Sequence, residues 1–316
     1  MKEKILKCLF VSGDKVISGV QISSELGISR VAVWKHIKRL NEEGYEIISS
    51  SKGYKLRNPG DLLAPFCFDT VKYHIHFFPK ISSTMDKARD MARNNARNMT
   101  IVVAEEQTKG RGRLNRIWLS SKGGLWFTII LKPDFPPVLS FRVNFAASLC
   151  LAKTLIKLFK INATVKWPND ILVNGKKLAG LLSEMETKAD MISFVNIGIG
   201  LNVNNSPEKI EPNAVSIKNI LNREVSRRKI LITFLDEFKS ELSRIFDEDP
   251  HGENKDIINR WKKYTSTIGR QVTIETSTSI SHGLAVDVDS SGALILQQDN
   301  GKQKKIIYGD CFYRQK

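Results

Sequence analysis

The chain has 316 residues, with 49 Lys and Arg against 33 Asp and Glu and a formal net charge of +16. Its 41% hydrophobic and 26% charged content suits a globular protein with a sizeable core and room for two or three domains. No run approaches about eighteen apolar residues, so no membrane span is expected, and "MKEKILKCLFVSGD" lacks the apolar core and cleavage site of a secretory signal. Cys8, Cys67, Cys150 and Cys311 lie far apart without a CxxC pair. Zinc binding and a disulfide framework are therefore not expected, and a reducing, cytoplasmic setting is. The surplus of positive charge suits an anionic partner such as nucleic acid or nucleotide, although a Lys-rich proteome would produce the same surplus.

Residues 1–60 read as a first unit. "EKILKCLF" places Ile5, Leu6, Leu9 and Phe10 on one helical face, and "VQISSEL" makes a short second helix with Ile22 and Leu26 inward. Gly27 permits a tight turn, Ser29 is a good N-cap, and "RVAVWKHIKRLNEEG" follows as a third helix stopped by Gly44. Val33, Ile37 and Leu40 repeat at helical spacing and face inward. "YEIISSSKGYKL" reads as a hairpin. This order predicts a winged helix-turn-helix, with Ser29, Arg30, Lys35, Lys38 and Arg39 as candidate DNA contacts. The unit carries 11 Lys and Arg against 6 Asp and Glu, which suits phosphate contact. A small helical interaction domain is the other reading. "RNPGDLL", residues 57–63, reads as a linker.

Residues 65–265 mix helix and strand signals and read as one α+β core. In "ISSTMDKARDMA", Ser83 and Asp86 have the spacing of a capping box, with Met85, Ala88 and Ala92 as the buried stripe. Ser83 and Thr84 could instead offer hydroxyls to a ligand at the positive helix end. "TKGRGRLNRIW", 108–118, holds four cations and no carboxylate between Lys109 and Arg116. Alone it fits a solvated loop or one that wraps an anion with backbone N–H groups and arginine forks. It is not a P-loop.

In "VKWPNDILVNGKKLAGLL", Asn174-Gly175 signals a two-residue hairpin. That turn sets Val173 against Lys176, Leu172 against Lys177 and Asp170 against Ala179. Asp170 and Lys177 would share a face as diagonal neighbours roughly 7–8 Å apart, either as a surface ion pair or flanking a ligand. "NIGIGLNVN" alternates strictly: Ile197, Ile199, Leu201 and Val203 point one way, and Asn196, Gly198, Gly200, Asn202 and Asn204 the other. Glycines on one strand face invite a flat ligand or a close backbone, and a β-bulge is the alternative. "RKILITFLDEFKSELSRIF" reads as a core helix with Leu231, Phe234, Leu235, Phe238, Leu242 and Ile245 inward. His36, His74, His76, His251 and His282 show no ligand spacing, and no nucleophile elbow is present, so no metal site is expected. Residues 267–316 read as short strands separated by "SSG" and "DNG" turns, a small barrel of the SH3-like kind.

The order of these motifs resembles the biotin protein ligases, in the two-function form that also represses the biotin operon. "SST" at 82–84, "GRGR" at 110–113 with Trp118, "KWPND" at 166–170, "KKLAGLL" at 176–182 and "GIGLNVN" at 198–204 carry it, between the winged helix and the β domain. The resemblance implies an α+β fold: a winged helix-turn-helix, a class II synthetase-like catalytic domain and an SH3-like barrel. It implies ATP and biotin as substrates with Mg²⁺ accompanying ATP, and biotinyl-5′-AMP as intermediate. A lysine of the biotin carboxyl carrier protein would be the acceptor, and a homodimer would bind operator DNA.

By the same resemblance, Ser83, Thr84, Met85, Gln107, Arg111, Gly112, Arg113 and Lys177 would meet biotin. Arg113, Trp118, Lys166, Asn169 and Asn202 would meet ATP, and Lys177, Arg113 and Asp170 would carry the chemistry. The family commonly has a basic residue at Leu114, a glycine at Asn115 and a small amide at Met85. Asn115 is the residue expected to absorb any left-handed backbone in the loop. A small-acid-sensing regulator and a lipoate-type ligase are the competing readings.

Overall fold

The computed structural model describes residues 1–57, 61–188, 190–246, 256–276 and 278–314; His251 and the Asn58–Gly60 part of the expected linker lie outside the described residues. The first unit contains α1 (Lys2–Val11), α2 (Gly19–Leu26), α3 (Arg30–Glu42), β1 (Ile47–Ser50) and β2 (Gly53–Leu56). Ile5, Leu6, Leu9, Ile22, Val33, Ile37 and Leu40 close a small core with Ile47 and Leu56, while Phe10 and Leu26 pack at its edge. Local chemistry sets the boundaries. Ser18 and Gln21 form a capping box on α2, Gly27 turns with φ 63°, and the Ser29 hydroxyl accepts from Ala32 N–H at 3.2 Å. β1 and β2 pair antiparallel from Ile47–Leu56 to Ser50–Gly53.

The expected linker is pinned at its far end. Arg227 donates to Asp61 through its backbone N–H at 2.6 Å and through Nε at 2.7 Å. Leu63 is buried in the main core. The described part of the segment is thus a docked strap.

The central elements run β3 (His74–Phe78), α4 (Thr84–Arg93), β4 (Thr100–Ala104), β5 (Leu125–Leu131), α5 (Phe141–Phe159), β6 (Ala163–Lys166), β7 (Asp170–Val173), β8 (Lys176–Lys188), β9 (Met191–Leu201), α6 (Ile217–Leu221), α7 (Arg227–Phe246) and α8 (Asp256–Lys262). Their seven strands form one sheet in the order β3-β4-β5-β9-β8-β7-β6, antiparallel except for the parallel pair β3–β4. The alternation in β9 decides which layer each face meets. Ile197, Ile199 and Leu201 join the core built with α5 and α7, whereas Phe194 joins a second cluster with Ala88 and Ala92 of α4. The stretch Pro137–Phe159 that contains α5 is long and apolar enough to cross a membrane by length and composition, yet 67% of its most apolar window is buried inside the fold. It is the helix on which the central core is built.

β10 (Gln271–Glu275), β11 (Ile280–Val288), β12 (Leu294–Gln297), β13 (Gln303–Ile306) and β14 (Asp310–Tyr313) make a five-stranded antiparallel sheet in the order β13-β12-β11-β10-β14. The strand and turn signals from residue 267 onward predict a separate small unit. The structure fuses it to the central layer: Val272, Ile274, Val288 and Leu294 belong to the same continuous core as α5 and α7. The buried Trp167 indole N–H donates to Gly292 O at 3.0 Å.

Candidate active site and nucleic-acid interface

Asn174 and Gly175 turn with φ 51° and 78°, as the hairpin motif requires. Val173–Lys176 and Leu172–Lys177 pair as expected, but Asp170 faces Gly180 and not Ala179. The register shifts because Leu178 is an extra residue on β8 that ladder counting could not reveal. Lys177 still opposes Leu172, two residues from Asp170, and the pair closes to an ion pair with Lys177 Nζ 2.8 Å from Asp170 Oδ1. The same ammonium lies 5.2 Å from the Trp118 ring centroid. A carboxylate and an aromatic face therefore hold this cation in place.

Gly180 and Gly200 face each other across β8 and β9. The flat group lying on them is the protein's own Trp118 indole. A Cβ on Gly200 would stand 2.5 Å from Trp118 Cε2, and one on Gly180 would stand 3.0 Å from Cζ3. Gly198 serves Met85 likewise, since a Cβ there would meet Sδ at 2.6 Å. The glycines thus let two side chains line a pocket flush against the sheet.

The capping box expected at the start of α4 is absent. Ser83 is the N-cap residue, yet its hydroxyl makes no cap bond and is buried without a partner. Asp86 is drawn away by Arg111, whose guanidinium reaches Oδ1 at 2.7 Å and Glu184 at 3.2 Å. Arg89 completes this four-residue network from the same helix. Gln107 fixes the helix start: its Oε1 accepts from Thr84 N–H at 2.7 Å and from the Thr84 hydroxyl at 3.0 Å, and its Nε2 donates to Ser120 at 2.8 Å. Thr128 of β5 donates to Thr84 Oγ1 at 2.9 Å.

The cationic loop is anchored from both sides. Arg111 is tied to α4 and β8, while Arg113 donates to Gly309 O at 3.0 Å and Arg116 pairs with Asp310 at 2.7 Å. Burial lowers the pKa of the Arg113 guanidinium, and the nearby Asp310 and Asp170 carboxylates oppose that shift. Leu114 in the loop has left-handed backbone, with φ 51°. Lys166 lies 5.8 Å from the Phe312 ring and 5.3 Å from the Tyr313 ring. Sequence reading missed these C-terminal contributors. Strand alternation assigns faces within one sheet and says nothing of which sheet edge a distant loop will meet.

Together these elements enclose a cavity of about 600 Å³. Ser83, Thr84, Met85, Gln107, Arg111, Gly112, Arg113, Trp118, Lys166, Asn169, Asp170, Lys177 and Asn202 all line it, as do Asp310, Phe312 and Tyr313. Asn169 donates to Leu181 O, and Asn202 accepts from Asn205 Nδ2 at 2.9 Å, so both amides are positioned by the protein. One end is rich in cations: Arg113, Arg116, Lys166 and Lys177. Toward α4 the lining holds the Ser83 and Thr84 hydroxyls and the Met85 thioether, beside Arg111 in its ion pairs with Asp86 and Glu184. Such a shape suits an elongated molecule with an anionic end and an uncharged polar end. Among the described residues no group of three or more His, Cys, Asp or Glu side chains is placed to hold a metal.

Away from this cavity, Ser29, Arg30, Lys35, Lys38 and Arg39 are exposed on α3. Trp34 is 54% and Val31 62% exposed beside them, and Lys38 Nζ lies 6.0 Å from the Trp34 ring. A search for charge alone passes over these two apolar residues. They give the outer face of α3 groups able to meet thymine methyls as well as phosphates.

Known proteins carry the same combination. The chain is 34% identical to the bifunctional ligase/repressor BirA of Bacillus subtilis, over 96% of each protein. The chain belongs to the biotin protein ligase family. Its residues 77–204 match the biotin/lipoate A/B protein ligase family, 2–55 an HTH domain, and 267–314 the biotin protein ligase C-terminal domain. The bifunctional ligase/repressor BirA of Escherichia coli is 28% identical over 89% of this chain and 88% of its own. Among solved structures, the biotin protein ligase of Aquifex aeolicus in complex with biotin and ATP superposes with a TM-score of 0.65 at 26% identity. It covers 77% of this chain and 99% of its own.

Proposed function

We propose that this chain activates biotin with ATP and passes it to a lysine of the biotin carboxyl carrier protein of acetyl-CoA carboxylase. With biotinyl-5′-AMP bound, it represses biotin-synthesis genes as an operator-binding homodimer in the cytoplasm. The observation that carries this reading is the make-up of the cavity: a fixed Lys177 with Arg113 and Arg116 on one side, and the Ser83 and Thr84 hydroxyls beside an already paired Arg111 on the other. The biotin carboxylate would lie by Lys177, with the ATP α-phosphate between Lys177 and Arg113. A carboxylate oxygen forms a bond to the α-phosphorus as the bond to pyrophosphate breaks. Charge neutralisation and alignment supply the acceleration, and no protein nucleophile is required.

In the second step the acceptor amine attacks the anhydride carbonyl and AMP leaves. Asp170, which lines the cavity and pairs with Lys177, would stand where that amine approaches. Lys166, Trp118, Asn169 and Asn202 form the nucleotide side. Mg²⁺ would arrive on the ATP phosphates, because Asp170 and Asp310 are already paired with Lys177 and Arg116. We assign DNA recognition to residues 1–60, ligand chemistry to 65–265 and site completion to 267–316.

Mixing the protein with biotin, ATP and a carrier domain and weighing the products tests the reading. A mass gain of one biotinyl group on the carrier supports it, and neither adenylate nor labelled carrier refutes it. Lipoate in place of biotin is the arm that separates the competing ligase activity.

A further inference from the structure

The strand that supplies Gly198 and Gly200 to the cavity, with Asn202 just past its end, has one more polar residue on that face. Asn196 is fully buried, at 0% exposure, and neither its Oδ1 nor its Nδ2 has a hydrogen-bond partner. A buried primary amide with both ends unpaired is a costly feature, and such groups are rare outside sites that take a ligand. The pairing of β9 with both β8 and β5 is unbroken from Val195 to Leu201, so Asn196 lies on the Gly198 face one strand repeat further on, about 7 Å along β9. It faces Ile130 on one side and Glu184 on the other. The Met85 thioether packs over the adjacent Gly198. On this side the cavity is lined by Gly198, Met85 and Ser83, whose hydroxyl is also buried and unpaired; Asn196 itself is not part of the lining and lies beyond Gly198 along β9.

We propose that Asn196 recognises the ureido ring of biotin, with Met85 as the adaptable wall that admits the ring to it. The inference rests on the ligase reading above. With the carboxylate at Lys177, the ring is the far end of the molecule and points toward Ser83 and Asn196. A ureido edge presents N–H beside C=O, and a primary amide presents the complementary pair, so the two can exchange two hydrogen bonds along one edge. Met85 offers that edge no donor. An unbranched thioether can change rotamer at little cost, so it suits a wall that shifts as the ring enters. A site with a committed amide also discriminates against ring analogues that lack the ureido group, because the amide is then left unpaired.

The test uses the full chain and Asn196→Leu, which keeps the shape and deletes both polar atoms. Steady-state biotinyl-AMP formation should show the biotin KM raised about 10-fold or more, with the ATP KM and kcat within about 2-fold of wild type. The apo protein should melt no lower, since an unpaired buried amide has been removed. Adding Met85→Asn to that variant should recover much of the lost biotin affinity. An unchanged biotin KM, or parallel losses of biotin KM, ATP KM and stability, overturns the proposal. Should Asn196→Leu fail to fold, selective ¹⁵N-asparagine labelling of the wild type decides. The Asn196 side-chain amide signals should shift with biotin and not with ATP alone, and no shift overturns the proposal. A wild type that makes no biotinyl-AMP overturns the ligase reading and this inference with it. A working wild type beside an unaffected Asn196→Leu variant overturns this inference alone.

Discussion

Gly200→Ala tests how the site is built. The added methyl would stand 2.5 Å from Trp118 Cε2 and 2.9 Å from Cζ2, about 1 Å short of an ordinary carbon contact. β9 cannot yield, because it is hydrogen-bonded to β5 and β8 through the middle of the sheet. Trp118 sits on the loop, so the indole moves. Two contacts go with it: the Lys177 ammonium over its ring, about 0.5–1 kcal/mol, and the edge packing on Trp126, with centroids 6.4 Å apart, about 0.5–1.5 kcal/mol. The combined loss of about 1–2.5 kcal/mol predicts a kcat/KM for biotin reduced roughly 5- to 70-fold in biotin-dependent ATP–pyrophosphate exchange. Because the effect passes through the indole, Gly200→Ala should cost little more in a Trp118→Ala background than Trp118→Ala alone. Wild-type kcat/KM in Gly200→Ala, or simple additivity of the two substitutions, would refute the reasoning.

Lys177→Ala should lower kcat about 100-fold or more while moving the thermal midpoint little, since the side chain is partly exposed; melting curves beside exchange kinetics check both. Asp289 ties down the turn before β12. Burial opposes its ionisation, but the Lys305 ammonium and hydrogen bonds from Ser291 and Ala293 hold its carboxyl down at about 2, against an ordinary 3.8. A depressed carboxyl contributes stability that is full above about pH 4 and lost as the pH falls through 2. Asp289→Asn should therefore be less stable than wild type at pH 6 and lose less between pH 4 and 2, as read by chemical denaturation. Replacing Lys35 and Lys38 by Ala should weaken operator binding and reduce the salt dependence by about 0.9 per lost phosphate contact; an unchanged slope would remove α3 from the interface.

Periodicity and turn chemistry carried most of the fold. The three helices and hairpin of the first unit, the Asn174-Gly175 turn and the two faces of β9 follow from local rules, because each depends on residues close in the chain. All thirteen cavity residues named in advance line one cavity, because the motifs that bear them sit at strand ends and loops that the sheet brings together. What escaped was set by partners far away in sequence. Ser83 and Asp86 had the spacing of a cap, but Arg111, 25 residues on, claims the carboxylate. The bulge at Leu178 arises within a ladder whose alternation gave no sign of it. β14 reaches the cavity from nearly 200 residues beyond the loop it meets: the Arg113–Gly309 contact spans 196 positions.

These long-range contacts alter what the cationic loop is. Read alone it carries four cations and no carboxylate, which fits a solvated segment or one closed around an anion. In the fold every described arginine between 110 and 117 already has a carboxylate or carbonyl partner from another element. Arg111 has Asp86 and Glu184, Arg113 has Gly309, and Arg116 has Asp310. The charges are therefore positioned before any ligand arrives, which lowers the cost of ordering them around one. The partners are unequal. Arg111 is held by two carboxylates on the central domain, whereas Arg113 is held by a neutral carbonyl, with Asp310 Oδ1 at 3.7 Å. An incoming phosphate competes with a carbonyl far more easily than with two carboxylates. Arg113 is thus the more weakly held of the two arginines, and Arg111 the one most firmly tied to the central domain.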